Sequence, residues 1–145
     1  MTASDDRLRR FFDPRGRGAL VTLKRDGRPQ VSTVDFCFDP ARSLLRISTV
    51  DGSAKAANLR RDPRASLYAP SPGLGTYAVA EGAVELSLVA RSRDDDTVEE
   101  LVDVYREVQG EHPDWDDYRR AMVEDRRLVI RLQIERFYGY APDEG

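Results

Sequence analysis

Two stretches of alternating apolar and polar residues flank the dipeptide Asp26-Gly27, and they constrain the fold of this chain more than any other feature. Residues 19–24 and 30–38 alternate with a period of two, which is typical of strands that bury one face. An Asp-Gly pair between two such stretches is the strongest short-range signal for a β-hairpin. A third alternating stretch, residues 44–50, follows a turn at Asp39-Pro40. The sequence therefore predicts a three-stranded antiparallel meander.

The remaining sequence adds strands and helices to this meander. Asp13-Pro14 and the glycines at positions 16 and 18 are expected to end the first helix before a strand that begins at residue 19. Further strands are predicted at residues 65–69, 77–89 (with a β-bulge at Gly82) and 128–135. Helices are predicted at residues 5–12, 53–61, from the run 94–96 to Gly110, and 114–124. Together these elements predict one domain over residues 1–145, mainly β with peripheral helices (α+β), built as a small β-barrel.

Charge and composition exclude several classes of function. The net charge is -3 with both signs interleaved, whereas a nucleic-acid binder normally carries a basic excess or a basic face. The single cysteine, Cys37, and the single histidine, His112, provide neither a disulfide nor a metal cluster. No stretch reaches the roughly 18 apolar residues of a membrane span, and the N-terminus is charged. We therefore expect a cytoplasmic protein with no nucleic-acid, metal or membrane partner.

The acidic run Asp94-Asp95-Asp96 has two interpretations. Three adjacent carboxylates suggest a metal site. The same residues, however, immediately precede an apolar stripe at helical spacing, where an aspartate caps free amides and interacts favourably with the helix dipole. The capping interpretation is favoured.

No conventional catalytic constellation is present in the sequence. One histidine and one cysteine that lie far apart make a nucleophilic triad improbable, and no Walker or Rossmann glycine pattern occurs. We therefore name no catalytic residue. If the protein is an enzyme, a bound cofactor must carry the chemistry.

The start of the second predicted helix is the best anchor for such a cofactor. Ser53 at the N-cap leaves the first amides, those of residues 54–56, pointing out of the helix start, where they favour an anion. Lys55 adds a full positive charge, and it is one of only two lysines among 23 basic residues. The local residues are equally compatible with an ordinary capped surface helix that carries an incidental lysine.

The chain resembles a known family over nearly its whole length. The resembling segments are residues 18–23, 26–32, 55–65, 77–82 and 94–119. In this order and spacing they are similar to the pyridoxamine 5'-phosphate oxidase-like proteins, which have the FMN-binding split β-barrel fold. Within that family they resemble the branch that uses the deazaflavin coenzyme F-420.

The resemblance implies a homodimer with cofactor in the clefts between subunits. The cofactor phosphate would lie at the positions of Ser53, Lys55 and Ala56. The residues implied to contact the ring are Ser32, Thr33, Val34, Ile47, Ser48 and Thr49. The stretch around Tyr77 of the partner subunit would close the cleft. Gln30 and Asn58 match positions near the cofactor, although Asn58 has a structural role as its alternative.

The chain departs from many relatives at the helix start, where they carry arginine in place of Ser53 and threonine in place of Ala56. The form in residues 52–56 resembles the branch that contains deazaflavin-dependent biliverdin reductases. The resemblance therefore implies an oxidoreductase that transfers a hydride between F-420 and an unknown conjugated small molecule. The alternatives are an FMN-dependent oxidoreductase and a non-catalytic protein that binds F-420 or flavin.

Overall fold

The computed structural model describes residues 3–142, and six of its elements are strands of one antiparallel sheet. The strands are β1 (Arg15–Leu23), β2 (Pro29–Asp39), β3 (Leu44–Val50), β4 (Arg64–Pro70), β5 (Tyr77–Leu86) and β6 (Arg127–Tyr140). The helices are α1 (Ala3–Arg9), α2 (Ala54–Arg61), α3 (Asp96–Gln109) and α4 (Trp115–Glu124). The sheet closes as a barrel in the order β1-β2-β3-β6-β5-β4. This confirms the predicted fold class, mainly β with peripheral helices; residues 1–2 and 143–145 of the expected domain lie outside the described residues.

The hairpin at Asp26-Gly27 forms as predicted. Leu23 pairs with Pro29 at its closed end, and Gly27 has the positive φ of 85° that this turn requires. The first helix ends before the glycines at 16 and 18, but both glycines lie inside β1, which begins at Arg15 rather than at residue 19. A Cβ on Gly18 would lie 2.4 Å from the carbonyl oxygen of Tyr68, so the glycine permits β4 to approach closely.

The interior of the barrel is filled by the inward-facing residues of the alternating strands. Leu20, Phe36, Leu45, Leu67 and Ile130 are all essentially inaccessible to solvent. In β2 and β6 this is the apolar face that the period of two predicted, whereas β1 buries Leu20 and Thr22 rather than Ala19, Val21 and Leu23.

Helix α1 ends at Arg9 rather than at residue 12. The amide of Phe12 donates to the carbonyl oxygen of Arg9 at 3.0 Å, which closes the chain into a turn. The Phe12 ring is fully buried and lies 5.7 Å from the ring of Phe36. The segment after α1 therefore contributes to the barrel core.

A second apolar cluster lies between the outer surface of the barrel and helices α3 and α4. Val129 of β6 packs with Val98, Leu101 and Met122, and it is completely buried. The last strand is therefore buried on both faces at this point, since helices cover its outer face. Asp95 caps α3 by accepting from the amide of Val98 at 2.8 Å, in agreement with the capping interpretation.

Strand β5 contains the predicted bulge and ends earlier than expected. Its pairing with β6 shifts register between Glu81 and Gly82. Regular pairing ends at Leu86, because the Ser87 hydroxyl takes the place of a main-chain acceptor and receives the amide of Val129 at 2.8 Å. Residues 87–89, which the sequence pattern assigned to this strand, are therefore not regular strand, although the Ser87 amide still donates to the carbonyl oxygen of Val129 at 2.9 Å.

Strands β2 and β3 separate along most of their length. The two strands pair at three positions only, from Cys37↔Arg46 to Asp39↔Leu44. Beyond Arg46, β3 continues to pair with β6 up to Val50↔Arg127. The divergence of β2 from β3 leaves an opening in the side of the barrel.

Replacing Gly82 with alanine tests the close approach at the bulge. The added Cβ would lie 1.9 Å from the carbonyl oxygen of Gln133, so backbone must move. We expect Gly82→Ala to lower the free energy of unfolding by about 3 kcal/mol in urea denaturation. The matched control is Gly73→Ala, whose Cβ would meet nothing within 4 Å and which should change stability by less than about 0.5 kcal/mol. Equal stability of the two variants would contradict this account.

Candidate functional site

An open cleft of about 420 Å³ lies where β2 and β3 diverge. The two strands form one wall, helices α3 and α4 form the opposite wall, and the first turn of α2 and the start of β6 form one end. Its lining residues are Thr33, Val34, Asp35, Ser48, Lys55, Val104, Tyr105, Val108, Gln109, Tyr118, Met122 and Arg127. A volume of this size is within the range of small-molecule sites.

Four of the twelve predicted site residues line this cleft. Thr33 and Val34 come from β2, Ser48 comes from β3, and Lys55 comes from the first turn of α2. They are brought together because the two strands separate beside the helix start. The sequence-based grouping of β2, β3 and the α2 start therefore corresponds to one place in the fold.

The helix start has the geometry that the sequence predicts, with one difference. The Ser53 hydroxyl caps α2 by accepting from the amide of Ala56 at 3.2 Å, and Thr49 Oγ1 donates to the same oxygen at 3.0 Å. The expectation that the Ala56 amide is free is therefore wrong, since the cap uses it. The amides of Ala54 and Lys55 remain those that a helix start presents outward.

Lys55 carries a charge that the described protein does not neutralise. Its side chain is half-buried at the end of the cleft, and no ion pair or side-chain hydrogen bond involves it within residues 3–142. A cation beside outward amides favours an anionic group. This arrangement fits a phosphate or carboxylate better than a neutral ligand.

Several predicted residues are placed where their side chains serve the fold. Ile47 is 1% exposed and belongs to the barrel core, and the side chain of Ala56 is also fully buried. Only the backbone of these two residues is left to contact a ligand. Asn58 is buried, its Nδ2 donating to Thr22 Oγ1 at 3.1 Å and its Oδ1 accepting from Arg61 at 3.1 Å. The bond to Thr22 joins α2 to β1 and the bond from Arg61 lies within α2, so Asn58 has the structural role that was its alternative.

The remaining predicted residues do not line the cleft within this chain. Ser32 and Gln30 lie earlier on β2, opposite Leu20 and Thr22 of β1. Tyr77 lies at the start of β5, and its ring centroid is 5.7 Å from that of Tyr68. Tyr77 therefore lies outside the cleft that this chain forms.

Sequence reasoning missed the residues that α3, α4 and β6 contribute to the cleft. Arg127 begins β6, and its Nη1 donates to Ser48 Oγ at 3.3 Å. Tyr105 and Tyr118 lie on the apolar faces of α3 and α4. The sequence pattern indicated these faces as core and not as part of a site. The pairing of β3 with β6, which spans about 80 residues of sequence, brings Arg127 to Ser48, and no local pattern encodes that pairing.

The electrostatics of the cleft favour an anion and offer no evident proton donor. Two cations, Lys55 and Arg127, and one carboxylate, Asp35, line the cleft. Asp35 forms its ion pair with Arg17 at 2.8 Å and not with either of these cations. Burial raises the pKa of Tyr118 to about 12, and its hydroxyl donates to the carbonyl oxygen of Leu101 at 2.8 Å. Tyr118 therefore stays protonated and engaged at neutral pH.

The barrel with its lateral opening, helices on its outer face and an anion-compatible cleft beside a helix start defines a class, the split β-barrel proteins of the FMN-binding type. The chain belongs to the pyridoxamine 5'-phosphate oxidase family, whose model matches residues 4–141. None of the helices among residues 3–142 is long and apolar enough to cross a membrane.

Three comparisons illustrate the relationship. The chain is 35% identical over 138 residues to an F-420H2-dependent biliverdin reductase of Mycobacterium tuberculosis, covering 95% of this chain and 88% of the relative. A solved F-420 reductase superposes with a TM-score of 0.68 at 19% identity, covering 90% of this chain and 94% of the other. A pyridoxamine 5'-phosphate oxidase-related, FMN-binding protein of Nostoc punctiforme superposes with a TM-score of 0.58 at 20% identity, covering 85% and 72%. At these identities the two solved structures show the shared fold.

The cap at Ser53 yields a prediction about stability. Ser53→Ala removes the acceptor for the Ala56 amide and should lower the free energy of unfolding by about 1 kcal/mol, measured by urea denaturation. Ser53→Gly is the matched comparison, because glycine is tolerated at an N-cap and should cost only a few tenths of a kcal/mol. If alanine proves as stable as serine, the hydroxyl does not hold the helix start.

Proposed function

We propose that the protein is an F-420-dependent reductase that transfers a hydride between the deazaflavin and a conjugated small molecule. The observation that carries this proposal is the unneutralised Lys55 beside the outward amides of α2, at the end of a cleft of suitable size. The 35% identity to an F-420H2-dependent biliverdin reductase supports F-420 as the cofactor.

The donor set of the helix start fits the phosphate of such a cofactor. The Lys55 ammonium and the amides of Ala54 and Lys55 supply one full charge and two aligned donors, and the capping hydroxyl of Ser53 lies beside them. The hydroxyl oxygen already accepts two hydrogen bonds, from the Ala56 amide and from Thr49. Most of the anchoring therefore falls to Lys55 and the two amides.

The cleft beyond the helix start fits a planar ring system. The wall formed by the strands consists of small polar and apolar side chains, namely Thr33 and Val34 on β2 and Ser48 on β3. Tyr105 and Met122 supply aromatic and polarisable surface on the opposite wall. A flat ring held in this cleft would contact both walls.

Reduced F-420, when bound, supplies a hydride to an electrophilic conjugated acceptor. The residues of this chain bind and orient the two reactants and exclude water, and holding them in reactive geometry contributes most of the rate. No side chain is assigned as general acid, since Tyr118 has its hydroxyl engaged and its pKa raised to about 12. Solvent or a group near the cleft supplies the proton.

We further propose a cytoplasmic homodimer in which each cofactor lies between subunits. The large apolar side chains exposed on the single chain include Tyr138 and Tyr140 of β6, and Tyr140 pairs with Tyr77 of β5, which supports a partner surface at this end of the two strands. The partner subunit's Tyr77 would close the cleft. Light scattering on the purified protein should give twice the chain mass of 16.4 kDa, and a mass of one chain would contradict the dimer.

Two alternative functions remain distinguishable by experiment. The FMN-binding relative favours an FMN-dependent oxidoreductase, and a protein that binds F-420 or flavin without turnover is the second alternative. Absorbance titration of the purified protein with F-420 and with FMN separates the cofactors; tight FMN binding without F-420 binding would refute the proposal. Stopped-flow oxidation of reduced F-420 by quinones, enones and biliverdin tests turnover, and no oxidation by any of them would favour binding alone.

Lys55→Ala should weaken F-420 binding by about 1–3 kcal/mol, the range of a lost charge-assisted hydrogen bond. The measurement is a fluorescence titration of F-420 with each variant. Lys24→Ala is the matched control, because Lys24 is the other lysine of the chain and is exposed just after β1, outside the cleft lining. Unchanged affinity in a folded Lys55→Ala protein would place the phosphate elsewhere.

A further inference from the structure

Arg127 has a buried hydrogen-bond donor for which the described protein provides no acceptor. Its Nε is inaccessible to solvent and has no partner within residues 3–142, while its Nη1 donates to Ser48 Oγ at 3.3 Å. Buried polar groups are nearly always hydrogen-bonded, and an exception calls for an explanation. A ligand that accepts a hydrogen bond from this Nε atom would explain the exception.

The position of Arg127 in the sheet brings its side chain to the same cleft as the first turn of α2. Arg127 pairs with Val50, the last residue of β3, and Ser48 lies two residues earlier on the same face of that strand. Lys55 follows five residues after Val50, in the first turn of α2. Arg127 and Lys55 both line the cleft, so two cations from different elements face one space.

Neither the carboxylate of Asp35 nor the hydroxyl of Tyr118 forms a hydrogen bond with Arg127. The carboxylate of Asp35 accepts from Arg17 Nε at 2.8 Å, and the hydroxyl of Tyr118 donates to the carbonyl oxygen of Leu101. The charge of Arg127 therefore adds to that of Lys55 without a matching carboxylate. Such a pair of cations favours a ligand that carries negative oxygen atoms.

We propose that Arg127 is a second cationic binding residue of the cleft and that it holds, together with Lys55, an oxyanion of the ligand, a phosphate or a carboxylate. This rests on the proposed function, since it adds a residue to the same site. The guanidinium presents a planar fork that matches two oxygen atoms, whereas the lysine ammonium acts as a point charge. The oxyanion belongs either to the cofactor or to the conjugated substrate, and the two sources are separable.

The first arm of the test measures cofactor binding. Arg127→Gln keeps much of the side-chain length and removes the charge, and it should raise the Kd for F-420 about ten- to a hundredfold in a fluorescence titration. Arg126→Gln is the matched control: it removes the same charge one residue earlier, from an exposed side chain that donates to Asp51 at 3.1 Å. Its Kd should stay within about twofold of the wild-type value.

The second arm measures binding of a carboxylate-bearing conjugated molecule. Biliverdin and its dimethyl ester are titrated into the cofactor-free protein, followed by absorbance. If the oxyanion belongs to the substrate, Arg127→Gln raises the Kd for biliverdin about tenfold or more, leaves that for the ester unchanged and leaves F-420 binding intact. Weakened F-420 binding in the first arm assigns the oxyanion to the cofactor instead. Either result supports the role of Arg127.

Unchanged Kd values for Arg127→Gln in both arms would overturn the role of Arg127 while leaving the proposed function standing. Wild-type protein that binds neither F-420 nor biliverdin would overturn both. Urea denaturation verifies that each variant is folded. If Arg127→Gln does not fold, Arg127→Lys decides the question, because it keeps the charge but loses the fork: a several-fold weaker affinity in one arm supports the proposal, and wild-type affinity in both refutes it.

Discussion

The separation of β2 from β3 is the constraint on which the rest of the structure depends. The two strands share three paired positions near the turn that joins them, after which β3 follows β6 and β2 follows β1. A closed barrel would otherwise present only its turns and its outer surface to a ligand. The opening exposes Thr33 and Ser48 to the same cleft, and the chain that leaves β3 turns at once into α2. The charged helix start and the strand surface therefore meet at the same place because of the sheet topology.

The opposite wall of the cleft is held in position by a charged contact that is largely buried. Glu100 of α3 accepts from Arg131 at 2.5 Å and lies 3.7 Å from Arg46, and the side chains of Glu100 and Arg46 are each only 16% exposed. The carboxylate thus joins α3 to both β6 and β3, and it raises the pKa of the Arg131 guanidinium through that hydrogen bond. An ion pair with this little exposure is sensitive to the loss of either partner. It fixes the helix that carries Tyr105 relative to the strands.

Local sequence signals predicted nearly all of the elements but only part of the site. The Asp26-Gly27 turn, the cap at Ser53 and the bulge at Gly82 depend on neighbouring residues, and each was found where the sequence placed it. Gly18 was placed before β1 rather than inside it, because its role is to permit the close approach of β4, 50 residues away, and no neighbouring residue signals that approach. Arg127 was missed for the same reason: its relation to Ser48 exists only once β3 and β6 have paired.

The helix start also explains why charge, rather than the number of donors, should control affinity at this site. The Ser53 hydroxyl accepts from both Thr49 and the Ala56 amide, so its position is fixed before any ligand arrives. That fixed cap reduces the rearrangement needed on binding, but it also commits an amide that a looser helix start would offer. With fewer neutral donors, an anion gains most from Lys55 and from any second cation nearby. Binding to a half-buried lysine in an open cleft should consequently weaken as salt concentration rises, whereas stacking of a ring between the strands and α3 should not.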